Sequence, residues 1–579
     1  NRICFGPGAL TGTLAPAHSR MKITSISPNG FLQNAGIGGH FPLELRKAGY
    51  DNLTIQGKSE KAVYLYIHDE GVEIKDATDI WGKDTQETQR ALKEELGQWV
   101  KVACIGPAGE NLVSFSSIHT GEGSAAARGG FGAIMGSKNL KAIVVRGTGQ
   151  IKIAQPSKFI SACKDTQARL MNDQGFMMQS KDGHGDKFLL DFTYASGLGL
   201  TGSWEDGKST WEAEFGDVET FYESYTDHQY GCSGCPVHHW HVFDIPGRCR
   251  GATKCSHWYD FSGPLHINDR NVIVHASTLC DYYGLDSSST SNSISLLMEL
   301  YHKGIITEKD TDGIAMRYGD EKAIITAIEK IAKQEGFGKL FRNGAWGFAK
   351  EIGKEAEGYA IVVNNQEVQP GEVRAFKSFA LAAAVTDGTA RYGGWIAEFF
   401  WEFEKERAEE MAQEISGDIE TACPTSYEKK ALGVWDYENR NTAVDLTGTC
   451  SWVIPVGVTH KLEIPAKLYS LATGRDTSEE ELLRAAQRVL MLERAFMASQ
   501  GIRRDTLPKK LFETAVPSGP FKGERLDREK FEKMLDEYYE VRGWNSHGIP
   551  TEKSFNKFDL MPEWKAFKKY LGKEDRSNG

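Results

Sequence analysis

Residues 230–255 read YGCSGCPVHHWHVFDIPGRCRGATKC. The stretch holds four of the chain's ten cysteines and three of its fifteen histidines. Cys232 and Cys235 form a C-x2-C that runs into Pro236; His238, His239 and His241 follow, then Cys249 and Cys255. Soft thiolates and borderline imidazoles gathered this closely fit a transition metal or an iron–sulfur cluster. Cys4, Cys104 and Cys163 stand alone and read as small buried hydrophobes.

Working outward, the 579 residues suffice for about three or four domains of ordinary size. A net charge of −11 with no basic stripe argues against a nucleic-acid binder. No run of about eighteen apolar residues occurs, so no membrane span is expected. Ten cysteines are too few for a disulfide scaffold of this length, and clustered thiols fit a reducing, cytoplasmic compartment. The chain opens on Asn1 within a strand-like, turn-rich run, so a preceding segment is expected to be missing.

The first 150 residues read as β-rich. Runs at 22–25, 63–67, 102–105 and 142–145 carry Val, Ile and Tyr and end near Gly, Pro or Asp. Residues 63–67 and 72–74 form a predicted hairpin around His68-Asp-Glu-Gly71, with glycine where positive φ is cheap. Glycines crowd at 36–39 and in Arg128-Gly-Gly-Phe-Gly132, where an open backbone can offer N–H groups to phosphate. After Pro156 the period turns helical. Ile294, Leu297, Leu300 and Tyr301 mark one face, stopped by Gly304; Ile324, Ile325, Ile328 and Ile331 mark another, closed by Gly336. Long amphipathic helices are expected at 479–500 and 530–541, a solvated helix face at 402–410, and no repeat of fixed period.

One echo stands out. Asp281-Tyr-Tyr-Gly284-Leu285-Asp286 is matched by Asp445-Leu-Thr-Gly448-Thr449-Cys450. Read as two loops at helix starts, these place two carboxylates on two copies of one ligand. A carboxylate there can accept the paired N–H groups of an amino-pyrimidine ring, and Cys450 arrives beside it.

With these residues in hand, the chain resembles the aldehyde ferredoxin oxidoreductase family of tungsten enzymes, and in particular the catalytic tungsten subunit of class II benzoyl-CoA reductase. The resemblance runs through residues 38–51, 105–111 and 128–142, both Asp loops, 494–496 and 543–551. It implies an α+β fold: a β-rich, pterin-binding base at 1–152 covered by two mainly helical domains at 153–375 and 376–579. It also implies tungsten, or molybdenum, held by two molybdopterin dithiolenes whose phosphates are bridged by Mg²⁺, with a [4Fe–4S] cluster beside one pterin. Gly38, Gly39, Arg128, Gly129 and Gly130 fall at the pterin and phosphate contacts, and Asp281 and Asp445 with their loops at the ring contacts. Cys232, Cys235 and Cys450 match three cluster cysteines, and Cys255 falls where the benzoyl-CoA reductase subunit binds tungsten directly.

The departures matter as much. The family's third cluster cysteine is replaced here by His239; His238, His241 and Cys249 are the other candidates for completing the cluster. Imidazole for thiolate raises a cluster's potential, because a neutral ligand replaces an anion. The family's acid and base groups have no clear match. His257 is the candidate proton donor, since on a strand it shares a face with Cys255.

The expectation is a tungsten oxidoreductase that moves two electrons at the metal and single electrons through the cluster. Its partners are a small-molecule substrate and a ferredoxin or iron–sulfur subunit, in a homodimer or a larger hetero-oligomer. The substrate is an aldehyde or carboxylate, or an aromatic or CoA-linked compound. The alternatives are a non-catalytic pterin and iron–sulfur assembly subunit, or a zinc-binding helical protein.

Overall fold

The computed structural model describes residues 2–173, 177, 218–253, 255–369, 371–386, 396–401, 404–451 and 462–571. Its first part is built of two sheets. One has the order β3-β2-β1-β4, with β1 at Arg2–Pro7, β2 at Met21–Ile26, β3 at Leu32–Ile37 and β4 at Leu53–Gln56. The other has the order β6-β5-β10-β7-β8-β9. Its strands are β5 (Val63–His68), β6 (Gly71–Asp76), β7 (Lys101–Cys104), β8 (Ile118–Thr120), β9 (Ser124–Ala126) and β10 (Leu140–Arg146). Only β10 and β5 run parallel.

Side-chain alternation explains the packing. In β2 Met21 and Ile23 turn inward, and in β1 Ile3 and Phe5 do the same. They meet Ile143 and Val145 of β10 and two short helices, α1 (Phe41–Lys47) and α3 (Phe131–Ser137), in one apolar core. Each such fully buried side chain contributes about 1.5–3 kcal/mol over an exposed one. The hairpin expected at 63–74 is present: β5 and β6 pair antiparallel from Val63↔Asp76 to His68↔Gly71.

The base contains a repetition that the sequence hides. The series β1, β2, β3, α1, β4 recurs as β7, β8, β9, α3, β10, with one added helical turn at Pro107–Glu110 between β7 and β8. Each series opens on an antiparallel pair, with Lys22 opposite Gly6 in the first and His119 opposite Cys104 in the second.

Between the halves lies α2 (Thr85–Leu96), capped by Asp84 and Glu87 in a reciprocal box. After the base come α4 (Pro156–Asn172), entered through its proline, and a three-stranded sheet of β11 (Thr226–Tyr230), β12 (Trp240–Ile245) and β13 (Cys249–Thr253). Then follow α5 (Cys255–Phe261), α6 (Arg270–Tyr283), α7 (Ser287–His302) and α8 (Glu321–Lys333), which share a second core. Farther on are α9 (Lys430–Thr447), α10 (Glu479–Ser499) and α11 (Arg528–Arg542). The four long helices read from the sequence are therefore present. One stop differs: α8 ends on Gln334 at φ 55°, and Gly336 opens the next turn. Among the described residues, no helix is long and apolar enough to cross a membrane.

The base and the helical parts meet backbone to backbone. A Cβ on Gly8 would lie 2.1 Å from the Gly448 nitrogen, and one on Gly106 would lie 2.5 Å from the Tyr283 carbonyl carbon. Backbone cannot yield there as a flexible side chain does. Gly8→Ala is therefore expected to destabilise the protein by about 1–3 kcal/mol or more, read as a lowered midpoint in thermal unfolding. Gly358→Ala, whose added carbon meets only Glu355 O at 3.9 Å, leaves the midpoint unchanged.

Candidate functional site

Both D-x-x-G loops are helix ends, not helix starts. α6 stops at Tyr283 with Gly284 at φ 72°, and the Gly284 N–H donates to the carbonyls of Cys280 and Asp281. α9 stops at Thr447 with Gly448 at φ 85°, and its N–H donates to Val444 and Asp445. Glycine is the residue that takes the left-handed position closing a helix, so the aspartate three residues before it belongs to the last turn. Asp286 does begin a helix, capping α7 through the Ser289 N–H at 3.0 Å.

The two helix ends are stitched to matching places in the repeated base. Ser117 N–H donates to Gly284 O at 2.8 Å, and Arg20 N–H donates to Gly448 O at 3.0 Å. Leu285 bridges Ser116, and Asp286 N–H reaches Phe115 O. On the other side the Thr449 hydroxyl meets that of Thr447 at 2.8 Å. Two residues beyond each stitch stands a basic side chain facing the aspartate. Lys22 Nζ is 2.7 Å from Asp445 Oδ2, and His119 Nδ1 is 3.7 Å from Asp281 Oδ1. Behind the imidazole, Ser117 Oγ lies 2.7 Å from His119 Nε2. Sequence reasoning missed Arg20, Lys22, Ser117 and His119; only the repeat reveals them.

The thiols gather at the Asp445 end. Ala17 N–H donates to Gly234 O at 3.1 Å, and Ala17 O accepts from Cys450 N–H at 2.9 Å, so one residue ties the C-x2-C to Cys450. Cys235 and Cys450 pack with Ala17, Val237 and Leu170. Cys232 Sγ accepts the Gly39 N–H at 3.1 Å, and a Cβ on Gly38 would come within 2.8 Å of that sulfur. Burial pushes the Cys235 thiol up to about 12, with the Cys450 and Cys232 sulfurs adding to the rise and Arg20 opposing it. Thiols crowded in this way ionise when a cationic metal centre neutralises them. Among the described residues, no three Cys, His, Asp or Glu side chains converge on a single metal ion.

The histidines separate. His238 is exposed and His239 half-buried, its ring 5.4 Å from that of Trp240. His241 is buried in β12, edge-on to Tyr222 at 4.8 Å and 3.0 Å from Gln229 Nε2. Cys249 sits at the far end of the β12–β13 hairpin, paired with Ile245 and bonded to Thr278. At about 3.3 Å per residue, that is some 16 Å along the strand from Trp240. Of the candidates, His238 lies against the residue before the C-x2-C, its Cδ2 2.5 Å from where a Cβ on Gly231 would stand, and His239 follows it in the chain.

Arg128, Gly129 and Gly130 take φ values of 61°, 81° and 69°, a left-handed run entering α3. Nη2 of Arg128 donates to the Glu367 carbonyl, while its Nε and Nη1 are buried and have no hydrogen-bond partner among the described residues. Two buried guanidinium donors without acceptors fit a ligand carrying phosphate oxygens. Asp260 and Glu367 share this neighbourhood. Burial pushes the Asp260 carboxyl up to about 6, against the hydroxyls of Ser288 and Ser287 at 2.6 and 2.7 Å. Burial likewise raises Glu367. Neither acid carries a sequence signal.

Cys255 and His257 lie in α5, a helix and not a strand. Helical residues two apart point about 200° apart, so the shared-face argument for His257 as proton donor fails. His257 is buried; the side chain of Cys255 lies outside the described part.

This geometry can be set beside known proteins. The family model for the aldehyde ferredoxin oxidoreductase N-terminal domain matches residues 1–147, and that for domains 2 and 3 matches residues 161–560. The chain belongs to the aldehyde ferredoxin oxidoreductase family. Membership of this family makes it an oxidoreductase. It is 34% identical over 570 residues to the tungsten-containing aldehyde ferredoxin oxidoreductase of Pyrococcus abyssi, covering 96% of this chain and 89% of that one. An aliphatic sulfonate oxidoreductase subunit of Pyrococcus furiosus is 27% identical over 609 residues, covering 97% of this chain and 89% of that one. Among solved structures, a chain of the BamBC active-site complex of benzoyl-coenzyme A reductase with 1,5-dienoyl-CoA matches with a TM-score of 0.84. The identity there is 24%, with 98% of this chain and 90% of that one covered, so the likeness is one of fold.

A direct test separates the two groups of cysteines in this family member. If the C-x2-C holds an iron–sulfur cluster, Cys235→Ser lowers the iron of protein purified without oxygen, whereas Cys249→Ser retains the parent's; elemental analysis reads both.

Proposed function

We propose that this protein is a tungsten oxidoreductase whose metal is held by two pterins, with a [4Fe–4S] cluster beside the Asp445 half-site. The observation that supports it most is the doubled site. Two helix ends, docked on two copies of one base motif, each hold an aspartate beside a basic side chain, and only one of them lies next to the three thiols. A single ligand taken twice, with a cluster at one copy, accounts for both facts.

In this reading Asp281 and Asp445 accept the N–H groups of the two pterin rings. The remaining donors of Arg128 and the backbone N–H groups around Gly38, Gly39, Gly129 and Gly130 take the phosphate oxygens, and Mg²⁺ bridges the phosphates. Cys232, Cys235 and Cys450 bind the cluster, with His239 assigned as the fourth ligand. Cys255, at the first turn of α5, is assigned to the metal. The bound metal group supplies the two-electron redox chemistry; the protein supplies placement, ligands and exclusion of water. Single electrons leave or arrive through the cluster, exchanged with a ferredoxin-like carrier or an iron–sulfur subunit. The Cys255 assignment favours low-potential reduction of an aromatic or CoA-linked substrate over oxidation of an aldehyde. A thiolate adds electron density that suits a metal held at low potential.

Elemental analysis of protein purified without oxygen tests the core of this proposal. Tungsten with about four irons per chain is expected, and zinc alone overturns it. His239→Cys is expected to lower the cluster's reduction potential, because an anion replaces a neutral ligand; an unchanged potential and paramagnetic resonance signal removes His239 from the ligand set. Cys255→Ser is expected to change tungsten content or turnover, and no change in either removes the direct-ligand assignment.

A further inference from the structure

The two half-sites share a backbone but not their charges. At one, the residue that donates to the capping glycine is Arg20, and the side chain facing the aspartate is Lys22. At the other, the same two places hold Ser117 and His119. The correspondence is one of register: Lys22 stands opposite Gly6 on β1, and His119 stands opposite Cys104 on β7. Gly8 and Gly106, each two residues on from those partners, press against Gly448 and the Tyr283–Gly284 peptide.

The difference has an electrostatic consequence. Arginine and lysine keep their charge across the physiological range, so Asp445 always has a cation 2.7 Å away. Imidazole is the side chain whose charge changes in that range. Asp281 therefore has a neighbour that is neutral in one protonation state and cationic in the other.

We propose that His119 is a positioning residue that makes the Asp281 half-site the one whose charge can change, coupling a proton to reduction of the metal centre. This rests on the bis-pterin reading above. One electron arrives at the metal centre from the ferredoxin-like carrier, and one proton from solvent binds the His119 imidazole, so the half-site gains the positive charge that offsets the electron. Ser117, whose hydroxyl turns as donor or acceptor, serves either state of Nε2. Several groups face the pair from the elements packed on it. The Cys104 thiol lies across β7, uncharged because burial pushes it up to about 12, and Ala125 lies across β9. Thr85 of α2 donates its hydroxyl to Asp281 O, with the Asp84 carboxylate capping the same helix. Lys141 and Glu110, buried and paired with each other, act on the surroundings of Cys104.

The test is a redox titration of the metal centre in the holoenzyme, followed by electron paramagnetic resonance at about pH 6 and about pH 8. In the parent the midpoint potential falls as pH rises. In His119→Lys it shifts upward and its pH dependence is reduced, since the half-site then carries a fixed cation like its counterpart. In His119→Gln the pH dependence is reduced as well, without the upward shift. Tungsten and iron contents report that the variants load. The parent's pH dependence surviving in either loaded variant, or a parent potential that does not vary with pH, overturns the proposal while leaving the bis-pterin reading in place. A parent that contains no tungsten overturns both.

Discussion

Two glycine contacts fix everything else in this molecule. Gly8 meets Gly448, and Gly106 meets the Tyr283–Gly284 peptide, at separations that leave no room for a side chain. They bring the C-termini of α6 and α9 onto the base, and with them Asp281 and Asp445. A carboxylate in a helix's last turn opposes the macrodipole, at a cost of about 0.3–1 kcal/mol. A basic side chain from the base stands at each of these carboxylates and offsets that cost. The docking contact and the charge it demands are therefore parts of one constraint.

The base is repeated, but what surrounds it is not. Cys450 follows Gly448 by two residues and joins Cys232 and Cys235 through Ala17. Beyond Gly284 the chain instead enters α7, whose Ser287 and Ser288 bond to buried Asp260. One half-site thus opens onto sulfur and the other onto a hydroxyl and carboxyl network that also faces Arg128. Symmetry in the scaffold leaves the two ends free to take different tasks.

Much of this was legible in the sequence, because it is periodic or punctuated. The 63–76 hairpin shows in its turn glycine, and the long helices show in their apolar stripes. The two D-x-x-G loops were visible as a pair, but spacing alone does not say whether the glycine follows a helix or precedes one. The shared face of Cys255 and His257 assumed a strand; β13 ends at Thr253 and α5 begins at Cys255, a switch too short for either period to register. The internal repeat escaped because its matching members, Arg20 with Ser117 and Lys22 with His119, share register and not chemistry. His241 and Cys249 looked like ligands because they are near the C-x2-C in sequence. A strand carries each residue about 3.3 Å farther along and turns alternate side chains away, which sends His241 to Tyr222 and Cys249 to Thr278.

The tie through Ala17 also bears on how the protein is made. It joins residue 17 to residues 234 and 450, so its three strands of chain come from near the start, the middle and well beyond. A chain emerging from the ribosome at about 5–20 residues per second closes the loops of the base early. Cys450 is synthesised only after the residues of α9. Until then Cys232 and Cys235 wait without their companion, and closing so long a loop is slow as well as entropically costly. On the reading proposed above, a cluster at these thiols is captured late in biosynthesis, on a base already folded to receive it.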